Sequence, residues 1–105
     1  MHAPSSSYLA HYPDEANARA VDERMLEAIL ALDGEQLARR EAAVLEEDIP
    51  GLVCGLCGIH PTLFTLAALR VMGAMRGRLL ASATSADTGG DPWRCVGYAA
   101  VAFTR

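Results

Sequence analysis

The feature that most constrains this chain is a stretch of 21 residues between Asp48 and Arg70 that carries no charged side chain if His60 is neutral. Within it, apolar side chains recur with the spacing of an α-helix, and this spacing continues across His60 and Pro61. Proline disfavours helical backbone at the residue before it and removes a backbone donor. We therefore expect either one long helix kinked near Pro61 or two helices that break there.

Such a stretch is long enough to cross a bilayer. Against a span, polar or helix-breaking residues lie near its middle, where they raise the cost of insertion: His60, Pro61, Thr62 and Thr65. Neither end carries a Trp or Tyr that would mark a membrane interface. We favour the central helix of a soluble bundle, apolar all round because its neighbours cover it, and keep a single membrane span as an alternative.

Two amphipathic helices upstream would provide that cover. The first is predicted from about Asp14 to Leu32, with Asp14 as its N-cap and apolar side chains recurring along one face. Asp33 and Gly34 end it, and a second, more charged helix is predicted over residues 35–47, antiparallel to the first. A further short helix is expected to end near Ser85.

The two ends of the chain are predicted to be less regular. Residues 1–13 are interpreted as a flexible or partly pinned leader, and residues 87–105 as a loop and an extended tail that packs on the bundle or on a partner. Residues 93–104 are rich in aromatic and β-branched types, so a short strand could pair with the leader or with a second chain. The predicted fold class is all-α, a bundle of three to four helices over residues 14–86.

Composition narrows the functional classes. A net charge of −4 argues against a nucleic-acid-binding surface, which needs a basic stripe. Three cysteines are an odd number and do not suggest a disulfide framework, and no signal peptide is recognisable at the start. We therefore predict a cytoplasmic protein with reduced thiols. Abundant alanine, and arginine without lysine, is typical of short proteins from actinobacteria and phages.

The sharpest local pattern is Cys54-Gly55-Leu56-Cys57-Gly58, which resembles a zinc knuckle. Together with His60 and Cys95 it could supply three thiolates and an imidazole, the number of ligands that tetrahedral zinc prefers. The pattern also resembles the redox motif of thioredoxin-like proteins, which needs its first cysteine at a helix N-terminus after a strand. The sequence upstream of Cys54 is helical in pattern and no βαβ unit surrounds it, so the sequence favours metal binding over redox chemistry. The simplest interpretation is that the cysteines pack as small apolar residues and that no cofactor is bound.

No catalytic or nucleotide-binding motif is present, so nothing supports an enzyme. The sequence therefore favours a non-enzymatic protein-interaction or regulatory module that self-associates as a homo-oligomer, its protein partner unknown. Zinc binding is the first alternative and a membrane span the second. The predicted interaction residues are aromatic side chains near the two ends: Tyr8, Tyr12, Trp93, Tyr98 and Phe103.

Overall fold

The computed structural model describes the backbone from residue 7 to residue 105 and the side chains from residue 12 onward. Residues 1–6 of the predicted leader lie outside the described part. The elements follow in the order β1 (Ser7–His11), α1 (Glu15–Leu30), α2 (Gly34–Glu46), α3 (Ile59–Val71), β2 (Arg76–Thr84), a short 3₁₀ helix (Ser85–Thr88) and β3 (Val96–Thr104).

The prediction of an all-α bundle was wrong, because the structure combines helices with a three-stranded antiparallel sheet of order β1-β3-β2. The sheet contains residues 76–84, for which the sequence analysis predicted a short helix. These residues pair along most of their length with β3, for example Leu79 with Val101 and Thr84 with Gly97. This pairing outweighs the weak local preference of a segment that contains neither a helix cap nor a clear apolar period.

The central strand of the sheet is β3, the last element. On one side it pairs with β1, where Ser7 lies opposite Ala99, and on the other side with β2. The predicted tail is therefore the strand that holds the sheet together. Its alternating side chains Ala99, Val101 and Phe103 are buried and face α1.

The helix α1 lies between this sheet and α2. Its N-cap is Asp14, whose carboxylate accepts the N–H of Asn17 at 2.8 Å. Val21 and Met25 lie on the buried side of the helix and are at most 1% exposed. This helix matches its predicted position and contributes more buried core residues than any other described element.

The helix α2 forms an antiparallel hairpin with α1. Asp33 caps its start by accepting the N–H of Gln36 at 3.0 Å, and Leu37 and Val44 are completely buried. Its charged side is exposed, as the sequence predicts. An ion pair between Arg24 and Glu47 links the two helices at 2.7 Å.

The uncharged stretch is not one helix from Ile49 onward, because α3 begins only at Ile59. Pro50 disfavours helical backbone at Ile49, and Asp48 before it has a left-handed φ of 52°. Residues 47–58 consequently form an irregular connection. The remaining helix has 13 residues, and none of the helices between residues 7 and 105 combines the length and apolarity needed to cross a membrane. The alternative of a membrane span over residues 49–69 was therefore wrong.

Neighbours cover only one side of α3. Leu66 and Leu69 are buried against the rest of the protein, whereas Phe64 is 78% and Val71 is 89% exposed. The sequence analysis expected this helix to be enclosed on all sides. Among the described residues, nothing covers its outer side.

Candidate functional site

The most reactive groups of the structure lie in the connection between α2 and α3, at residues 54–58, which we call the cysteine loop. Cys54 and Cys57 form a disulfide, with their Cα atoms 5.4 Å apart. Cys57 is exposed and Cys54 is half-buried. Cys57 is therefore the more exposed residue of the bonded pair.

A carboxylate from α2 holds the cysteine loop in place. The N–H of Gly55 donates to Oε1 of Glu41 at 3.1 Å, and the N–H of Leu56 donates to Oε2 at 2.8 Å. Each carboxylate oxygen thus accepts a hydrogen bond from one of the two backbone N–H groups between the cysteines. Leu56 itself is completely buried and fixes the loop to the core.

Gly55 is needed because the backbone passes very close to α2. A Cβ atom at this position would lie 2.7 Å from Oε2 of Glu41 and 2.8 Å from Cγ2 of Val44. Any larger residue would push the loop away from the carboxylate. The glycine in the Cys-Gly-Leu-Cys pattern therefore serves the contact with Glu41.

Cys57 also lies close to the start of α3. The next residue, Gly58, is the N-cap of this helix and makes no side-chain capping bond, and the first turn holds no acidic residue. Unpaired backbone amides and the helix dipole favour a negative charge at such a position. Helix N-termini of this kind are where thiol–disulfide exchange proteins place a reactive cysteine.

The two other predicted zinc ligands do not complete a site with the cysteines. His60 is exposed in the first turn of α3. Cys95 is completely buried, with its sulfur 3.3 Å from the carbonyl oxygen of Asp91, and burial raises the pKa of its thiol. Within residues 7–105, no three candidate ligands lie close enough to hold a metal ion. The alternative of a Cys3His zinc site was therefore wrong.

The predicted interaction residues lie in different surroundings. Trp93 is 79% exposed, and the ring of Tyr12 lies 4.3 Å from the guanidinium carbon of Arg94. Tyr98 lies on the outer side of the sheet at the edge of a shallow hollow, whereas Phe103 is buried in the core. The side chain of Tyr8 lies outside the described part. Of the described side chains in this set, Tyr12, Trp93 and Tyr98 are thus exposed and Phe103 is not.

Sequence reasoning found both cysteines of the loop but missed Glu41. The residue lies in a helix with many charged side chains, and nothing in its immediate sequence distinguishes it from Glu35 or Glu46. The connection between α2 and α3 folds back on α2, so that the N–H groups of residues 55 and 56 reach Glu41. The sequence could have indicated Glu41 only if the N–H groups of the loop had been matched with a carboxylate in another element of the chain.

Comparison with known proteins places this architecture in a family. Residues 4–102 match the profile of Memo-like proteins. A MEMO1 family protein of Methanopyrus kandleri is 38% identical over 101 residues, which are 96% of this chain and 33% of the relative. MEMO1 family proteins of Methanosarcina acetivorans and Methanocaldococcus jannaschii are 36% and 34% identical, over 92% and 90% of this chain and 33% and 30% of their own lengths. The chain thus spans about a third of these relatives. No solved structure matches it.

These matches correct two predictions. A non-enzymatic interaction or regulatory module was wrong as a description, because the chain falls within the Memo-like family over almost its whole length. The predicted actinobacterial or phage origin finds no support either, since the relatives named above come from archaea.

Proposed function

The chain belongs to the Memo-like family, and we propose that its Cys54–Cys57 pair is a reversible redox pair in which Cys57 exchanges with external thiols. The observation that carries this proposal is a bonded pair whose exposed member directly precedes the N-cap of a helix. A disulfide that serves only to stabilise a fold is best protected from reductants when both of its cysteines are buried. Here one member of the pair, Cys57, is an exposed residue.

The exchange runs in two balanced steps. A thiolate of a small dithiol attacks the sulfur of Cys57, the Cys54–Cys57 bond breaks, and Cys54 leaves as a thiolate that takes up a proton. The second thiolate of the reagent then attacks its own sulfur in the mixed disulfide, and Cys57 leaves as a thiolate. The protein gains two electrons and two protons, and the dithiol becomes a cyclic disulfide.

The fold is expected to survive this reduction. The two cysteines are three residues apart, and closing so short a loop stabilises the folded state by only about 2 kcal/mol in the chain-entropy treatment. The bonds to Glu41 and the burial of Leu56 do not depend on the disulfide. The loop can therefore open its sulfur bond without leaving its place on α2.

The test is a redox titration of the purified chain in dithiothreitol buffers, with alkylation and mass spectrometry to count free thiols. We expect reduction of the native protein, two newly alkylated cysteines, and complete reoxidation. Replacing Cys95 by serine should leave the titration unchanged, because that thiol is buried away from the loop. The proposal fails if reduction requires unfolding, or if the midpoint lies below about −300 mV, the range of structural disulfides.

A cytoplasmic location is part of this proposal. A reversible pair needs a compartment that supplies reduced thiols. Rapid acid quenching of cells followed by alkylation would measure the state of the pair in place. A mostly reduced pair that oxidises on peroxide treatment supports the location, and a permanently oxidised pair contradicts it.

A further inference from the structure

The exposed side of α3 is mainly apolar, with His60 in its first turn and Arg70 in its last turn as the titratable side chains. Phe64, Ala67 and Val71 lie on it at helical spacing, and Met72 and Met75 continue it beyond the helix. We call these five residues the outer face of α3. All of them are exposed, with values of 78% for Phe64 and 89% for Val71.

Such a face differs from an ordinary solvent-facing helix side. The exposed side of α2 carries Glu35, Arg39 and Glu46, whereas α3 has no acidic residue and no arginine before Arg70. Contiguous exposed apolar surface on a folded protein marks a contact with another protein surface. We therefore expect another protein surface to bury the outer face of α3.

The length of the relatives identifies what covers it. The match takes in 96% of this chain but only 33% of the Methanopyrus kandleri protein, and the proportions are similar in the other two relatives. In those proteins, the equivalent of α3 lies within a protein about three times as large. A helix whose exposed side carries large apolar side chains over most of its length fits the inside of such a protein better than its surface.

We propose that the outer face of α3 is the docking surface for the remaining two thirds of a Memo-like protein. Contact is made mainly by Phe64 and Val71, whose large side chains gain most from burial. This inference does not depend on the redox proposal, because no cysteine takes part. A second copy of this chain is the competing occupant that the experiment must exclude.

The experiment combines the chain with the part of the Methanopyrus kandleri protein that lies outside the aligned 101 residues. Two formats are used: the purified parts are mixed, and the chain is fused to the complementary part in place of the aligned segment. Native mass spectrometry and titration measure the complex, and thermal unfolding measures the fusion. We expect a 1:1 complex in the first format and one cooperative transition in the second.

The variants locate the contact. Phe64→Asp and Ala67→Asp should each weaken the complex at least tenfold and lower the melting temperature of the fusion. In the isolated chain the same changes should leave circular dichroism and melting temperature nearly unchanged, because both side chains are exposed there. Ala43→Asp is the matched control, an equally exposed helical alanine on α2 that should have no effect in either format.

Three results would overturn the inference. One is full binding by Phe64→Asp, and another is an equal loss in the Ala43→Asp control. The third is failure of the unsubstituted chain to join the complementary part in both formats. A dimer of this chain that Phe64→Asp abolishes would assign the outer face to a second copy instead. None of these results bears on the thiol titration, so the two proposals can fail separately.

Discussion

Glu41 is the residue on which the position of the cysteine loop depends, and its removal gives the most demanding test of the structure. Its two carboxylate oxygens accept the N–H groups of Gly55 and Leu56, both of which are buried. Hydrogen bonds to a charged group contribute about 1.5–3 kcal/mol each. Because Glu41 is itself half-exposed and water can replace part of the contact, we expect Glu41→Ala to cost about 3 kcal/mol in total.

A loss of that size lowers the melting temperature by on the order of 15 °C for a domain of this length. Glu41→Gln should cost about 2 kcal/mol, because one amide keeps an oxygen acceptor while the other faces an NH₂ group. Urea unfolding of the oxidised proteins measures both losses. The matched control is Glu35→Ala on the exposed side of the same helix, which breaks only its surface pair with Arg39 and should cost about 0.5 kcal/mol or less.

The same variants should also change the chemistry of the loop. Without the carboxylate, the loop is free to move away from α2, so dithiothreitol should reduce the disulfide faster in Glu41→Ala than in the unsubstituted chain. The reasoning is refuted if Glu41→Ala costs less than 0.5 kcal/mol by the same assay, about the expected effect of the Glu35→Ala control. It is also refuted if the reduction rate of Cys54–Cys57 stays the same.

Three further predictions concern other parts of the fold. Gly97→Ala should destabilise the protein by about 3 kcal/mol in urea unfolding, because its Cβ would overlap the buried carboxylate of Asp22; a stable variant would contradict this. Cys95 should react with iodoacetamide only after unfolding, since burial raises the pKa of its thiol. The N–H of Thr84 and the charge of Arg19 lower the pKa of Asp87, so its stabilisation is present above about pH 4 and is lost as pH falls through the lowered pKa. Asp87→Asn should accordingly flatten the fall of melting temperature between about pH 4 and pH 2, and an unchanged profile would refute this.

Local sequence signals predicted the two helices whose caps and apolar faces agree with each other. For α1, Asp14 provides the cap and Val21 and Met25 the buried face, so the chain needs no distant partner to favour this structure. The same applies to Asp33 and Leu37 in α2. In both helices, the residues that decide the structure lie within a few turns of one another.

The sheet and the cysteine loop could not be predicted in this way, because distant residues decide them. The segment around Leu79 becomes a strand only through its pairing with β3, more than ten residues further along the chain. The continuous apolar period over residues 49–69 suggested one helix, although Pro50 and the bonds to Glu41 hold the first part as a loop. An apolar period in a sequence indicates which side chains are buried but does not by itself show that the backbone is helical. Here the buried side chains of this period belong partly to a loop and partly to a helix.

The central place of β3 has a consequence for how the protein is made. Both outer strands depend on it, since Ser7 near one end pairs with Ala99 near the other, and β2 finds its partners at residues 97–104. During synthesis, α1 and α2 can form as soon as they leave the ribosome, but β1 and β2 must wait for the last strand. Sheet closure over so long a separation is slow, and the waiting strands expose unpaired backbone that can associate with other chains. Newly made protein is therefore most exposed to aggregation in the interval just before β3 emerges.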